Sequence, residues 1–214
     1  MQWTYDGTIR NVLWIGGAQW AGKTTVAAIL TSRYGLTHYH CDYQDSRAHE
    51  DRRNAARARR GQPPTDWPAY WSQLSPREMA ERALDDFAER FPWVLDDLRA
   101  LVSPYPILAD GWNLRPDLIA TVADDLRRAV VLVPTDEWRE HQAAALPRAG
   151  AFGAELPDPE QARRNRLERD RILAADAAQR ATDLGIRVIE VDGTENAQSI
   201  ADEVADHFGA ALTT

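Results

Sequence analysis

One short stretch of the chain combines the residues best suited to bind phosphate. Residues 15–25 read IGGAQWAGKTT, and Lys23 is the one lysine among the 25 lysines and arginines of the chain. Residues 17–24 fit the pattern G-x-x-x-x-G-K-[ST] of a phosphate-binding P-loop. An ammonium is a compact point charge, whereas a guanidinium is a wider planar fork. A tight phosphate loop therefore explains why this basic position is not arginine.

The elements on either side of this motif are those that it requires. An apolar run typical of a buried strand precedes the loop, and a segment with helical spacing follows it. Backbone N–H groups of the loop and of the helix N-terminus can cradle phosphate oxygens, and the glycines allow conformations that a Cβ would hinder. We expect Lys23 to act in catalysis and the Thr24 hydroxyl to bind Mg²⁺. The predicted phosphate-binding residues are Gly17, Ala18, Ala21, Gly22, Lys23, Thr24 and Thr25.

Strands and helices alternate five times along the chain, which favours βαβ units and a parallel sheet covered on both faces. The runs predicted as strands are 11–17, 36–42, 105–111, 129–136 and 186–193. The segments predicted as helices are 23–35, 75–101, 115–129, 135–146, 161–185 and 196–208. Ser75 and Glu78 form a capping-box pattern, whereas Pro92 is expected to kink or divide its helix. The proline-containing segments 63–71 and 147–160 are predicted as loops.

Acidic residues follow the predicted strands, at the sheet edge where open α/β sheets bind ligands. Asp42 could accept or orient a proton from a substrate hydroxyl, or it could be a helix cap or a turn residue. Asp110 ends an apolar strand as in a Walker B motif, so we expect it to hold Mg²⁺ and to lie near the substrate. The alternative for Asp110 is a turn residue before Gly111. Asp136 is interpreted as a helix N-cap.

Two arginine-rich segments are candidates for anion binding. Arg163 and Arg166 are three residues apart and share a helix face, so they could neutralise the charge of a transferred phosphoryl group as catalytic lid residues. A solvated charged face is the alternative. His49, Arg52 and Arg53 could hold an anionic or polyhydroxyl substrate, or belong to an exposed helix of mixed charge.

Aromatic and histidine side chains each allow a functional and a structural interpretation. Trp67, Tyr70 and Trp71 could stack on a flat substrate, but packing of their segment against the core is the favoured interpretation. His38 and His40 point the same way along one predicted strand. Because the sequence shows no partner ligands for them, a structural role is favoured over metal binding.

Composition and charge exclude several functional classes. A net charge of −8 argues against a general nucleic-acid binder. No apolar run approaches the ~18 residues of a membrane span, and the N-terminal residues lack a signal pattern. Cys41 is the single cysteine, so we expect a cytoplasmic protein without an internal disulfide. Since Lys23 is the one lysine, the N-K-x-D motif of GTPases cannot occur.

Taken together, the motifs resemble a small P-loop kinase of the nucleoside/shikimate-kinase-like group, which includes gluconate kinases and chloramphenicol phosphotransferase. The segments that carry the resemblance are GGAQWAGKTT, HCD, ILADG, RRNRLERDR and VDGTEN. The resemblance implies an α/β fold of the P-loop NTPase type, a three-layer sandwich whose five-stranded parallel sheet has the order 2-3-1-4-5. It also implies ATP as phosphate donor, Mg²⁺ as cofactor, Asp42 at the acceptor hydroxyl, and Asp192 and Gly193 beside the adenine.

The predicted organisation is a single domain over 1–214, with a helical substrate-binding insertion at 45–101 and a lid at 147–166. The predicted function is an ATP-dependent phosphotransferase acting on a hydroxyl of a small metabolite, nucleoside or antibiotic, as a monomer or homodimer. The alternative is a nucleotide-binding switch or accessory ATPase that acts through a protein partner. The segment ADG differs from the glycine-rich substrate loop of shikimate kinases, and no substrate signature of gluconate or adenylate kinases occurs. The resemblance therefore does not extend to the acceptor.

Overall fold

The computed structural model describes residues 7–146 and 152–213, and within them five parallel strands form one sheet. The strands are β1 (Leu13–Gly17), β2 (Thr37–His40), β3 (Ile107–Asp110), β4 (Ala129–Pro134) and β5 (Arg187–Val191). Their order is β2-β3-β1-β4-β5, which confirms the predicted topology. Each strand lies inside its predicted range and is shorter than that range at one or both ends.

Helices cover both faces of the sheet, which confirms the three-layer architecture. In chain order they are α1 (Lys23–Tyr34), α2 (Cys41–Asp45), α3 (Ala48–Arg59), α4 (Trp67–Gln73), α5 (Pro76–Ala100), α6 (Pro116–Ala120), α7 (Asp136–Ala145), α8 (Pro159–Asp183) and α9 (Ala197–Phe208). Short 3₁₀ turns lie at Thr8–Asn11, Leu126–Arg128 and Gly209–Leu212. None of the helices within the described ranges combines the length and apolar character needed to cross a membrane.

Alternation along the central strand separates two apolar cores. Leu13 and Ile15 point to the face covered by α1 and α9. Trp14 points to the opposite face, where it packs with residues of α5 and α8 such as Phe91 and Ala177. Because successive side chains of a strand point to opposite faces, a strand buried on both faces reads as the continuous apolar run seen in the sequence.

Three helical segments differ from the sequence-based expectation. The helix expected over 115–129 is interrupted, because α6 ends at Ala120 and a 3₁₀ turn at Leu126–Arg128 leads into β4. Pro92 is expected to kink or divide its helix; it lies inside α5, which continues as one helix from Pro76 to Ala100, so the helix is not divided. The segment predicted as a loop at 63–71 contains the start of α4. Its N-cap is Asp66, whose side chain accepts a hydrogen bond from the Ala69 N–H, and a proline stands in the first turn. These are ordinary helix-start signals that the proline content of the segment obscured.

The carboxyl ends of β1, β2 and β3 meet at one edge of the sheet. In the register of the ladder, Ile15 lies opposite Asp110, and Asp110 lies opposite His40. The P-loop follows β1 at this edge, and α2 follows β2 directly. Parallel pairing therefore brings together three segments that are distant in the sequence.

Candidate active site

The P-loop has the backbone geometry that its glycines predict. Gly17 has φ +114°, and a Cβ at this position would lie 2.1 Å from the carbonyl oxygen of Leu132. Gly22 has φ +73° and is the N-cap of α1. Because Gly22 has no side chain to cap the helix, the first N–H groups of α1 stay available to an anionic ligand.

Trp20 also has a positive φ, 71°, which is unusual for a residue with a large side chain. Its side chain is buried and its indole N–H donates to Asp170 Oδ2 at 2.8 Å. The guanidinium carbon of Arg166 lies 5.1 Å from the centroid of the Trp20 ring. Contacts from α8 therefore hold the loop in this conformation.

Lys23 is buried at the start of α1, and its Nζ donates to the carbonyl oxygen of Ala18 at 2.5 Å. Burial lowers the pKa of Lys23, and the nearby carboxylates of Asp42, Asp110 and Asp170 oppose this effect. The ammonium group thus lies within the loop and close to several carboxylates. This is the position that a lysine needs to contact phosphate oxygens bound by the same loop.

Asp110 is fully buried at the end of β3 and accepts three hydrogen bonds. Thr24 Oγ1 donates to its Oδ2 at 2.9 Å, while His38 Nε2 and His40 Nδ1 lie 2.6 and 3.1 Å from its Oδ1. Burial by itself would raise the pKa of Asp110, but the hydrogen bonds from the histidines and Thr24 outweigh it and hold the pKa well below its usual range. Asp110 is therefore ionised at neutral pH.

The histidines have a partner that the sequence did not reveal. His38 and His40 both face Asp110, which lies about seventy residues away along the chain. Burial would lower the pKa of His40, but the hydrogen bond to Asp110 reverses this and the pKa is raised. The two histidines fix the orientation of the carboxylate that Thr24 contacts from its other side.

The pair of Thr24 and Asp110 fits the chemistry of Mg²⁺. This ion prefers oxygen ligands and is usually held by one or two protein side chains together with phosphate oxygens and waters. A threonine hydroxyl and a carboxylate stand next to each other at the P-loop, as such a site requires. Ligand atoms of His38, His40 and Asp110 also lie within 4.8 Å of one another, but imidazole nitrogens suit transition metals better than Mg²⁺.

Asp42 lies in the first turn of α2, immediately beyond β2. Its Oδ1 accepts a weak hydrogen bond from the Trp112 N–H at 3.5 Å. Burial raises the pKa of Asp42, and the positive charge of Lys23 opposes the increase. A carboxylate with a raised pKa beside a bound hydroxyl is a better proton acceptor than an ordinary aspartate.

Two cavities meet at Asp42. The first, which we call the P-loop cavity, has a volume of about 500 Å³ and includes Lys23, Thr24, His40, Tyr43 and Arg47 in its wall. The second, which we call the aromatic cavity, has a volume of about 360 Å³. The aromatic side chains in its wall are Trp67, Tyr70, Trp71, Phe87, Trp112 and Phe152. Gln19, Asp42, Ser46 and Arg166 line both cavities.

The fold places the predicted substrate-binding residues of α3 in two different environments. Arg53 reaches the wall of the aromatic cavity. His49 is fully buried, lies 2.8 Å from Asp97 Oδ2 and packs edge-on against Trp93. The guanidinium carbon of Arg52 lies 5.0 Å from the centroid of the same Trp93 ring. His49 and Arg52 are thus placed in the contact between α3 and α5, and neither lines the aromatic cavity.

The two predicted lid arginines also separate. Arg166 reaches both cavities, and its guanidinium carbon lies 4.4 Å from the ring centroid of Phe152. Arg163 donates to Glu160 and to the carbonyl oxygen of Phe152, and it lines another cavity of about 270 Å³. Residues 147–151 of the predicted lid lie outside the described residues.

The residues expected beside the adenine lie apart from the P-loop cavity. Asp192 accepts hydrogen bonds from the backbone and side chain of Thr194, and Gly193 packs against Trp138. Both line a small cavity of about 170 Å³, whose described lining residues differ from those of the P-loop cavity. Asp136 occupies the first turn of α7, and Thr135 is the N-cap in its place.

Several side chains of the site were missed by sequence reasoning. Arg169 is one helical turn beyond Arg166 on α8, a spacing that could have identified it. Phe87 and Arg90 lie on α5, and their role depends on how that long helix crosses the edge of the sheet. Trp112 follows the ADG segment closely, so the rule that ligands bind beyond strand ends could have found it.

Trp67, Tyr70 and Trp71 both pack and line the cavity. The rings of Tyr70 and Trp71 meet edge-on at 4.8 Å, and Trp71 meets Phe152 at 4.7 Å. The expectation that they pack the insertion therefore describes only part of their placement. All three side chains also line the aromatic cavity.

Comparison with known proteins finds similar solved structures, among them a kinase and a candidate kinase. Shikimate kinase from Aquifex aeolicus VF5 is 17% identical with a TM-score of 0.44, and the match covers 95% of this chain and 99% of that one. A candidate kinase from Chloroflexus aurantiacus J-10-fl is 14% identical with a TM-score of 0.37, and the match covers 92% and 98%. Neither a family model nor a curated protein matches this chain. At these identities and TM-scores the similarity assigns neither a family nor a substrate.

Proposed function

We propose that this chain is an ATP-dependent phosphotransferase that phosphorylates a hydroxyl group of a small molecule, such as a metabolite, nucleoside or antibiotic. The observation that carries the proposal is the position of Asp42 between the P-loop cavity and the aromatic cavity. A phosphate donor in the first cavity and an acceptor in the second would meet at this carboxylate. The raised pKa of Asp42 suits it to receive the proton of the acceptor hydroxyl.

The donor site uses the P-loop and the end of β3. Backbone N–H groups at the start of α1 and the ammonium of Lys23 would hold the phosphates. Thr24 and Asp110 would hold Mg²⁺, which when bound neutralises the negative charge of the phosphate oxygens. The histidines keep Asp110 ionised and oriented for this task.

The transfer step assigns a role to two further side chains. The acceptor oxygen forms a bond to the transferred phosphorus while the bond from that phosphorus to the leaving diphosphate breaks, and Asp42 takes the hydroxyl proton. Arg166 borders both cavities, so its guanidinium would stabilise charge on the group in transit. Arg163 contacts Glu160 and Phe152 and lines neither of these two cavities, so the transfer step assigns it no direct role.

The test is the transfer of label from γ-labelled ATP and Mg²⁺ into a small-molecule extract. We expect the wild type to label at least one small molecule, and we expect Lys23→Ala and Asp42→Asn to lose this labelling. Asp96→Asn is the matched control, because Asp96 is an exposed carboxylate on α5 that pairs with Arg52 and Arg99. Slow release of phosphate with no labelled small molecule would contradict the proposal and favour the switch or accessory ATPase.

A further inference from the structure

The aromatic cavity is built from rings that contact one another edge-on. Trp67, Tyr70, Trp71 and Phe152 form a continuous row, with centroids 5.6, 4.8 and 4.7 Å apart at angles of 74° to 86°. The edge-on pair of Phe87 and Trp112, at 4.7 Å, also lines the cavity. All six rings line the cavity, and an aromatic ligand can stack on the parts of them that face it.

Arg169 holds the two groups of rings together. Its guanidinium carbon lies 4.9 Å from the centroid of Trp71 and 5.1 Å from that of Trp112. Nε and Nη2 of Arg169 donate to Asp170 Oδ1 at 2.9 and 2.6 Å, and both side chains are buried. Asp170 therefore already compensates the positive charge of Arg169. The Arg169 side chain helps to shape the cavity by lying between the rings of Trp71 and Trp112.

Two other arginines of the wall, Arg53 and Arg90, come from the insertion, and their charges are compensated as well. Arg90 donates to Asp45 at 2.8 Å and to the carbonyl oxygen of Asp86 at 3.1 Å. Arg53 contacts the carboxylates of Glu50 and Asp86. Arg166 lies on the side shared with the P-loop cavity, where the proposed function uses its charge for the transferred group.

Among the described residues, Asp42 is the wall carboxylate that forms no ion pair with an arginine of the insertion, whereas Asp45, Glu50 and Asp86 pair with Arg90 and Arg53. The carboxylates of Asp42, Asp45, Glu50 and Asp86 all line the aromatic cavity. An acidic acceptor would bring its own negative charge next to that of Asp42, while the arginines of the insertion are already paired with the other three carboxylates. A buried anion without its own partner is strongly disfavoured.

We propose that the acceptor is a hydroxylated compound with a flat aromatic or heteroaromatic ring and no anionic group. The ring would stack among the aromatic side chains, and the hydroxyl would point to Asp42 at the junction of the two cavities. This inference depends on the proposed function for the transfer step, whereas the preference for a ring without negative charge depends only on the cavity wall. A small sugar acid, by contrast, has no aromatic ring and carries a negative charge.

Matched ligand pairs test the inference by calorimetric titration. Uridine and orotidine share their ribose hydroxyls and differ by one ring carboxylate. 4-Methylbenzyl alcohol and 4-(hydroxymethyl)benzoate share a benzylic hydroxyl, and the methyl group of the first is a carboxylate in the second. We expect the neutral member to bind about tenfold or more tightly than its acidic partner, the ratio that an uncompensated charged contact commonly produces. Tighter binding of both acidic members would overturn the inference, as would no measurable binding of any of the four.

Variants of the cavity wall show where binding occurs. Trp71→Ala should weaken binding of the neutral compounds by about tenfold, the order expected from the loss of one stacking partner, and Trp71→Phe should retain most of it. Trp93→Ala is the matched control, because Trp93 contacts His49 and Arg52 outside the cavity. Equal weakening in Trp71→Ala and Trp93→Ala would contradict binding in the aromatic cavity.

Transfer assays separate this inference from the proposed function. Identification of the labelled acceptor as an acid such as shikimate or gluconate would overturn the acceptor class and leave the kinase in place. Binding of neutral aromatic compounds without transfer, in samples that bind ATP, would support the ligand class and overturn the kinase. A labelled neutral aromatic alcohol would support both.

Discussion

Asp42→Asn and Asp110→Asn should change the stability of the fold in opposite directions, although both remove one carboxylate charge near Lys23. Asp42 is partly desolvated and accepts one weak hydrogen bond, so its charge is unfavourable in the folded state. Asparagine keeps the acceptor atom and removes the charge. We expect the free energy of unfolding to rise by about 1 kcal/mol, a usual gain when a strained active-site group is relieved.

Asp110→Asn should lower the stability of the fold, because hydrogen bonds stabilise the negative charge of Asp110 in the folded state. Asp110 receives hydrogen bonds from His38, His40 and Thr24, and asparagine would replace charge-assisted bonds by neutral ones. Each replacement costs about 1 kcal/mol, so we expect a loss of about 2–3 kcal/mol. At 2–4 °C per kcal/mol for a chain of this size, Tm should fall by roughly 4–12 °C, whereas Asp42→Asn should raise it by roughly 2–4 °C.

Thermal unfolding in metal-free buffer measures both effects. The raised pKa of Asp42 means that its protonated form favours the fold, so its contribution is present below the unfolded pKa of ~3.9 and is lost as pH rises through the folded pKa. The Tm of Asp42→Asn should therefore exceed that of the wild type by an increasing amount as the pH is raised from about 4 towards neutral. A lower Tm for Asp42→Asn at neutral pH would show that Lys23 more than offsets the desolvation of Asp42, and would refute this reasoning.

Three further predictions concern the site. The acid limb of the pH profile of kcat/KM should lie at a higher pH than that of an ordinary aspartate, because the pKa of the proton acceptor Asp42 is raised; a profile unchanged down to pH 4 would argue against Asp42 as the base. Thr24→Val should raise the Mg²⁺ concentration needed for half-maximal activity, and Thr24→Ser should restore it, since serine retains the hydroxyl beside Asp110. Asp170→Ala should lower the free energy of unfolding by about 3–5 kcal/mol in denaturant titrations, because it leaves buried Arg169 uncompensated, and a second change Arg169→Met should recover part of this loss.

Local and repetitive patterns could be predicted from the sequence. The five strands are apolar runs because both faces of the sheet are covered, and the P-loop is recognisable because its glycines meet a steric demand that no other residue can. The capping box of Ser75 and Glu78 is likewise a local arrangement, and the structure contains it as predicted. The sheet order was implied by the resemblance, since alternation of strands and helices does not by itself fix it.

Contacts between distant segments could not be predicted in the same way. His38 and His40 show no partner in the sequence because Asp110 becomes their neighbour only through the pairing of β2 with β3. Arg52 carries the same guanidinium group as Arg53, and His49 lies on the same helix, yet of these three residues only Arg53 lines the aromatic cavity. Which face of α3 meets α5 decides this difference, and the mixed charge of α3 gives no periodic signal of that face.

The middle of α8 connects the two halves of the proposed reaction. Asp170 accepts the indole N–H of Trp20, which stands in the P-loop with positive φ, and Arg169 lies between Trp71 and Trp112 in the aromatic cavity. Adjacent residues on one helix thus hold the donor loop and the acceptor wall through a single buried ion pair. A displacement of this helix turn would move both walls at once, so the distance between the two cavities is set by α8 together with the sheet edge. The arrangement explains why a buried ion pair is placed here, where it fixes relative position, although an apolar pair could stabilise the fold equally well.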